Sequence, residues 1–527
     1  MTDEFKDPLP FRIILAMLED RQHLYSPKAN MILDNLKGDS ALTSLNGVLV
    51  LPQMMTVIVA LAIFLIGLII IDYARMLLLR RKMPPGPLPW PILGNTFSLP
   101  DTKPWIYFEE LALKYKSPLV TVWIGRNPTV WLNDAKSASD LLDKRAATIS
   151  SRPRMIVFGE LSFDQSSLVS MRYGDRFRVH RKLTHMGIGM QQVRNYQHIQ
   201  SDENKIVLYD LLGDSENYVG HLERYAASVV SIIGFGRRIQ QIDDPIITEV
   251  IALMQHAAEL NVPGKSFPML METFPTKFPN WMAPWKKGLG AIRGRNFFYA
   301  LAEEAATNPN DIDCYAKQLF REREKYNLTD LELSSLAGNL FGAGSDTSSS
   351  TLITFILACC AFPEFLPKAW EELDGVVGLH REPTFEDEPN LVYVKAVVKE
   401  VLRWRSVAIL GGQPHAPIQD EMYNGYLIPK NTWIQGNIWA IHRNPENFPD
   451  PDRFIPDRYL KDSPYYRPFP NERGYMTFGW GRRVCVGQAL AEQEVFISIA
   501  RMLWAFKIQK ALDENGKEIP VDIFDYT

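Results

Sequence analysis

The sequence predicts a mainly α-helical domain with a small β-rich lobe, preceded by one transmembrane helix. Three observations carry this. Long helical patterns dominate residues 175–405. Short strand-like runs lie at 120–124 and 129–132 and return between 405 and 440. Residues 48–71 carry no charge, and 57–71 are almost wholly aliphatic.

Residues 1–47 precede the apolar run. Phe11, Ile14, Leu15 and Leu18 share one helical face, which fits either a short interfacial helix or a disordered lumenal tail. At ~1.5 Å per residue, the run at 48–71 can cross a bilayer. Apolarity on every face favours a span over a buried core helix. The run lies too far in, with the wrong flanks, for a cleaved signal peptide. Arg75, Arg80, Arg81 and Lys82 follow it, whereas Lys37 is the nearest basic residue before it. The positive-inside rule then places the N-terminus outside and the rest in the cytosol.

Residues 72–91 form a basic linker made stiff by Pro84, Pro85, Pro87, Pro89 and Pro91. Residues 92–527 read as one large domain without internal repeat. Within it, 105–116 is a helix, and the two strands at 120–124 and 129–132 turn at Arg126-Asn127-Pro128. Residues 261–285, rich in proline and aromatics, read as an irregular apolar surface segment able to touch a membrane. A mostly irregular stretch over 443–485 leads to a final helix at 488–504.

The chain has 527 residues, 46% hydrophobic and 22% charged, enough for a large core. A net charge of -4 and the lack of a long basic run argue against nucleic-acid binding. The four cysteines, Cys314, Cys359, Cys360 and Cys485, show neither disulfide nor zinc spacing, which favours a reducing compartment.

The strongest chemical signal is Phe478-Gly479-Trp480-Gly481-Arg482-Arg483-Val484-Cys485-Val486-Gly487. Glycines let a backbone turn tightly and approach a flat cofactor. A cysteine in such a turn can present sulfur to a metal, with backbone N–H groups moderating its charge. Arg483 can pair with a cofactor carboxylate. Glu400 and Arg403, at i and i+3, share a helical face and can pair. Leu340, Ala343, Gly344 and Thr347 share another face, and each glycine there costs about 1 kcal/mol against alanine, which suggests close approach to something. Thr347 either bonds the Ala343 carbonyl one turn back or handles protons beside Asp346.

The ten-residue loop resembles the haem-binding loop of the cytochrome P-450 superfamily at every defining position. The resemblance implies a cytochrome P-450 fold over about 84–527, with haem b as cofactor. Cys485 would be the axial iron ligand, Phe478 its shield, Gly479, Gly481 and Gly487 the turn, and Arg483 a propionate holder. Glu400-Val401-Leu402-Arg403 resembles the E-x-x-R element, and Pro451-Asp452-Arg453-Phe454 resembles the P-E-R-F element. That resemblance makes Glu400, Arg403 and Arg453 a structural triad. Ala343-Gly344-Ser345-Asp346-Thr347 resembles the distal A-G-x-D-T element, with Ala343 and Gly344 against the cofactor and Asp346 and Thr347 catalytic. Arg181 stands at the arginine of a W-x-x-x-R element whose tryptophan is here Phe177, and His415 matches a propionate-binding histidine. After Arg403, Ser406 and Ile409 stand where family members carry prolines.

The resemblance further implies a monooxygenase that inserts one atom of dioxygen into a lipophilic small molecule. The pattern is similar to fungal secondary-metabolism members, which implies a terpenoid or polyketide substrate. No dinucleotide fingerprint is evident, so NADPH would act indirectly through NADPH–cytochrome P-450 reductase, with Arg178, Lys182 and Arg482 as candidate docking cations. The expected location is the endoplasmic reticulum membrane, single-pass, with the catalytic domain cytosolic. Family members usually continue past Thr527 as a hairpin that touches substrate, so haem binding with weak or unselective turnover is expected. Two rival readings stand beside this one: an inactive or truncated haem-binding paralogue, and a haem-thiolate isomerase or dehydratase. Intact Asp346 and Thr347 argue against the second.

Overall fold

A computed structural model describes residues 44–161, 163, 165–259, 291–308 and 312–524. The N-terminal face of Phe11 to Leu18 and the segment 261–285 lie outside them. The chain divides into two units, Met1–Ala74 and Arg75–Thr527.

Helix α1 (Ser44–Arg80) encloses the predicted span. Its part Met55–Arg80, 26 residues containing a stretch of mean hydropathy 2.8, is long and apolar enough to cross a membrane. Val57, Ile58, Phe64, Leu65 and Ile66 are all exposed. In water that much bare apolar area is unfavourable, and lipid removes the cost.

The proline linker does not stand free as a spacer. Arg80 Nη2 donates to the Gly86 carbonyl at 2.6 Å. Thr121 N donates to Pro85 O at 2.8 Å, and Leu427 N donates to Lys82 O at 2.8 Å. Prolines lack donors, so their carbonyls accept from the neighbouring sheet.

Helix α2 (Pro104–Tyr115) leads to strands β1 (Leu119–Ile124) and β2 (Asn127–Leu132). The strands pair antiparallel, with Trp123 opposite Pro128. The turn therefore falls at Gly125-Arg126, not at Arg126-Asn127-Pro128. Gly125 holds φ +56°, the left-handed conformation a tight reversal needs and a proline cannot adopt. Strands β3 (Glu421–Tyr423) and β4 (Tyr426–Ile428) form a hairpin, and β5 (Trp433–Gly436) joins β2 in parallel, giving the order β1-β2-β5. Phe108 of α2 stacks on Trp131 of β2 at 3.6 Å between centroids and seals the core of this lobe.

The helical body comprises α3 (Asp175–Ile188), α4 (Gln197–Gly213), α5 (Tyr218–Phe235), α6 (Pro245–Glu259), α7 (Ala291–Thr307), α8 (Tyr315–Tyr326), α9 (Asp330–Ala361), α10 (Leu366–Val376), α11 (Val392–Trp404) and α12 (Gln488–Ala505). Helix α9 runs for 32 residues and starts with a capping box, Thr329 bonding the backbone of Glu332 and Glu332 bonding back. Leu333, Leu336, Ala337, Phe341, Leu352, Phe355 and Ala358 bury it in one cluster shared with α5, α11 and α12. His180 of α3 also reaches Glu332, at 3.1 Å, and Arg176 pairs with the same carboxylate, so α3 is fastened to the start of α9.

Candidate active site

The Cys485 loop closes on itself. Cys485 N donates to Phe478 O at 2.8 Å, and Arg483 N donates to Trp480 O at 3.0 Å. Gly479 and Gly481 hold φ +74° and +52°. A Cβ on Gly481 would lie 2.4 Å from Leu142 O, and its N–H reaches Asp143 Oδ1 at 2.7 Å. Glycine is thus required there by conformation and by space together. Trp480 is buried, and its ring fills the volume that a side chain at Gly436 or Gly411 would need. Phe478 packs on the large core cluster at the loop's start.

Cys485 has an exposed surface, yet the protein around it pushes its thiol up. The backbone N–H of Gly487, the Arg181 guanidinium and the N–H of Gln488 draw it back down. Gly487 immediately precedes α12, so these N–H groups sit at the positive end of a helix.

Three arginines crowd beside this loop. Arg483 donates to Ser150 O at 2.7 Å, Leu168 O at 3.2 Å and Met171 O at 2.7 Å. Its guanidinium lies 3.7 Å from the Phe177 ring centroid, so the phenylalanine at the tryptophan position serves as a floor for this cation. Arg152 is buried and donates to Val169 O, Gln413 O and Pro414 O at 2.9, 2.6 and 3.0 Å. Burial, then repulsion from Arg152 and Arg181, drives Arg483 well below the usual guanidinium range. Burial alone lowers Arg152. Arg181 is half-buried and lowered by burial, with Cys485 as its one opposing charge. No carboxylate pairs with any of the three among the described residues. Neutral carbonyls orient Arg152 and Arg483, and no carboxylate compensates the charge of the three, so the site fits a group with acidic substituents.

His415 adjoins this cluster. It is buried, its Nδ1 lies 3.0 Å from Ile149 O, and burial followed by Arg152 holds its imidazole well below the ordinary value. The neutral ring donates from Nδ1 to that carbonyl, so Nε2 carries a lone pair. It gains a donor there only when a nearby anion raises its proton affinity.

The structural triad differs from the predicted one. Glu400 Oε2 accepts from Arg403 Nε at 2.8 Å, and Oε1 accepts from Arg403 Nη2 at 2.8 Å and Ile455 N at 2.8 Å. The third partner is Arg458, whose Nε lies 3.2 Å from Glu400 Oε1. Arg453 is not in the triad. Its side chain is half exposed and pairs at the surface with Glu364 at 2.7 Å, while only its carbonyl accepts from Arg403. The stretch that closes the triad is Phe454-Ile455-Pro456-Asp457-Arg458. His442 then joins it to the cysteine loop. Its Nδ1 donates to Arg403 O at 3.0 Å, and its Nε2 accepts from Met476 N at 2.9 Å. Burial, then Arg403, pulls this ring down to about 3.

In mid-α9, Ala343, Asp346 and Thr347 are exposed between buried Phe341, Gly342, Ser345, Ser348 and Ser349. Thr347 Oγ1 donates to Ala343 O at 2.7 Å, the local bond foreseen as one of its two readings. Although its surface is exposed, the protein packed around Asp346 displaces water and raises its carboxyl. Gly344 belongs to a different contact. A Cβ there would lie 2.4 Å from Val230 Cγ1, so the missing side chain admits α5. Sequence reading also missed Arg152, Arg458, His442 and Asp143. Arg458 alone carried a visible signal, as the second of two adjacent Pro-Asp-Arg tripeptides.

The family model described as Cytochrome P-450 matches residues 84–522. The chain is 35% identical over 473 residues to a cytochrome P-450 monooxygenase of Armillaria gallica, covering 87% of this chain and 90% of that one. It is 35% identical over 465 residues to cytochrome P-450 monooxygenase 58 of Postia placenta, covering 86% and 87%. Over 455 residues it is 34% identical to cytochrome P-450 monooxygenase verL of Clonostachys rogersoniana, covering 83% and 82%.

Proposed function

Because the chain belongs to the cytochrome P-450 family of haem-thiolate monooxygenases, we propose that it oxidises a lipophilic small molecule of fungal secondary metabolism, of terpenoid or polyketide class. The observation that supports its working as an enzyme is the joint presence of an addressable cysteine, Cys485, and three cations without a counter-charge, Arg152, Arg181 and Arg483. Haem, when bound there, supplies one-electron and dioxygen chemistry.

The chain's own residues then have separable tasks. Cys485 provides a thiolate whose charge the Gly487 and Gln488 N–H groups moderate. Arg152, Arg181 and Arg483 would hold the propionates, with His415 as a fourth group once a neighbouring anion raises its proton affinity enough for it to take a proton from solvent. Asp346 takes a proton from water and releases it toward Thr347. The Thr347 hydrogen is committed to Ala343 O, so its oxygen presents lone pairs outward and accepts a hydrogen bond from a protonated neighbour. To donate elsewhere, its hydrogen must first swing away from Ala343 O by rotation about the Cβ–Oγ1 bond.

Electrons come from NADPH through NADPH–cytochrome P-450 reductase. Arg178, which also pairs with Asp175, and Arg482 both lie over Tyr173, at 6.0 and 5.2 Å from its ring centroid, and exposed Lys182 follows four residues after Arg178 on the same helix. Helix α1 anchors the protein in the endoplasmic reticulum membrane, and the flank Arg75–Lys82 keeps residues 92–527 cytosolic. A carbon monoxide difference spectrum tests thiolate ligation. Product formation with and without NADPH and reductase separates a monooxygenase from an isomerase or dehydratase. Turnover without either would overturn the electron-transfer reading.

A further inference from the structure

A cavity of about 220 Å³ lies between α5, α6 and α9. The packing of α5 on α9 explains it. Glu223, Ala227 and Val230 follow the i, i+4, i+7 stripe of one helical face. Val230 presses into the notch at Gly344 and brings the helices together. One turn back, Ala227 is too small to fill the gap, and the gap opens between Glu223 and Asp346. Ser345, Ser349 and Phe341 form its α9 wall, while α6 contributes four apolar side chains and Gln255. Gln255 is exposed and Glu223 is half-buried, so the cavity communicates with solvent.

Two carboxylates therefore share one cavity, and no cation lines it among the described residues. Burial raises Glu223, and the charge of Asp346 raises it further. Like charges in a partly desolvated space favour one proton held between them. Neither carboxylate receives a hydrogen bond from the described residues, so both remain free to bind water.

From this geometry we infer that Glu223 is a positioning residue for proton delivery, gating a water route through the α5–α6–α9 cavity to Asp346. The inference rests on the reading of Asp346 and Thr347 as the proton-handling pair. The transfer involves protons only. Glu223 releases one to cavity water, that water protonates Asp346, and Asp346 passes one on toward Thr347. Solvent then reprotonates Glu223. Small Ala227 keeps the route open, and the Val230–Gly344 contact closes it off beyond Asp346.

The test uses the full-length, haem-loaded protein with NADPH and reductase. It measures peroxide per NADPH and the solvent isotope effect on that ratio across pH 6–9. Glu223→Gln should raise the peroxide fraction several-fold and flatten its pH profile, and Glu223→Asp should restore both. Ala227→Leu should raise it with every charge intact. Independently of turnover, infrared spectra should contain a protonated-carboxyl band that Glu223→Gln removes. If Thr347→Ala uncouples but Glu223→Gln and Ala227→Leu do not, the inlet is wrong and the pair stands. If Asp346→Asn and Thr347→Ala are themselves silent, the underlying reading fails. Loss of haem in both Glu223→Gln and Ala227→Leu would assign these residues to structure and overturn the inference too.

Discussion

Replacing Arg458 by alanine, beside the same change at Arg453, tests the ion-pair arrangement that supports the cysteine loop. Glu400 and Arg403 have fully buried side chains, and Arg458 is 2% exposed. Arg458→Ala removes one of two cations from a buried carboxylate. It also removes the donor to Pro449 O and Asp450 O, the latter at 2.6 Å. Breaking a buried ion pair from one side costs about 3–5 kcal/mol. The Arg453 side chain is 52% exposed and its partner Glu364 54%. An exposed pair of this kind contributes less than about 1 kcal/mol. The Arg453 carbonyl, which does accept from Arg403, survives in alanine. Urea unfolding followed by circular dichroism, with the reduced carbon monoxide spectrum of each variant, should therefore separate the two. Arg453→Ala should keep both signals. Arg458→Ala should lower the urea midpoint sharply and weaken the red-shifted Soret band, and Arg458→Lys should recover part of the loss by keeping charge without the planar fork. Equal losses at both positions, or a larger loss at Arg453, would refute this assignment.

Three further outcomes are expected. Cys485→Ala should abolish the red-shifted carbon monoxide band, while alanine at Cys314, Cys359 or Cys360 should keep it. Thr347→Ala should leave haem content near normal but divert NADPH to peroxide, measured as peroxide per NADPH; unchanged coupling would leave Thr347 with only its bond to Ala343. Stability should fall on mild acidification because His442 is held neutral. Its folded value of about 3 lies below the ordinary 6.5, so the folded state binds fewer protons. The contribution is complete above about pH 6.5 and is lost progressively as pH falls toward 3, about 2 kcal/mol of it between pH 7 and 5. Urea midpoints at those two pH values, compared in wild type and His442→Gln, check it, since the variant should lack that increment.

What could be read from sequence was whatever lay in contiguous residues. The Cys485 loop is one ten-residue pattern, and the internal bonds that shape it join residues within that pattern. The helix at 488–504 and the strands at 120–124 and 129–132 were recovered to within two residues at each end. Arg453 was misassigned because Pro451-Asp452-Arg453 and Pro456-Asp457-Arg458 are the same tripeptide five residues apart. Only packing tells which one turns inward. Arg152 had no local signal, because its partners at 169, 413 and 414 are brought to it by the fold. Gly344 lies against Val230 of α5, more than a hundred residues away along the chain, a contact that no local pattern announces.

The seating of Trp480 under Gly436 and Gly411 has a consequence for engineering. Its ring is a dowel shared by β5, the turn after α11 and the cysteine loop, three stretches far apart along the chain. A methyl group added at Gly436 would meet the ring at 2.1 Å and displace the loop that carries Cys485. Variant libraries built to widen substrate scope should therefore spare both glycines, although neither touches the cysteine.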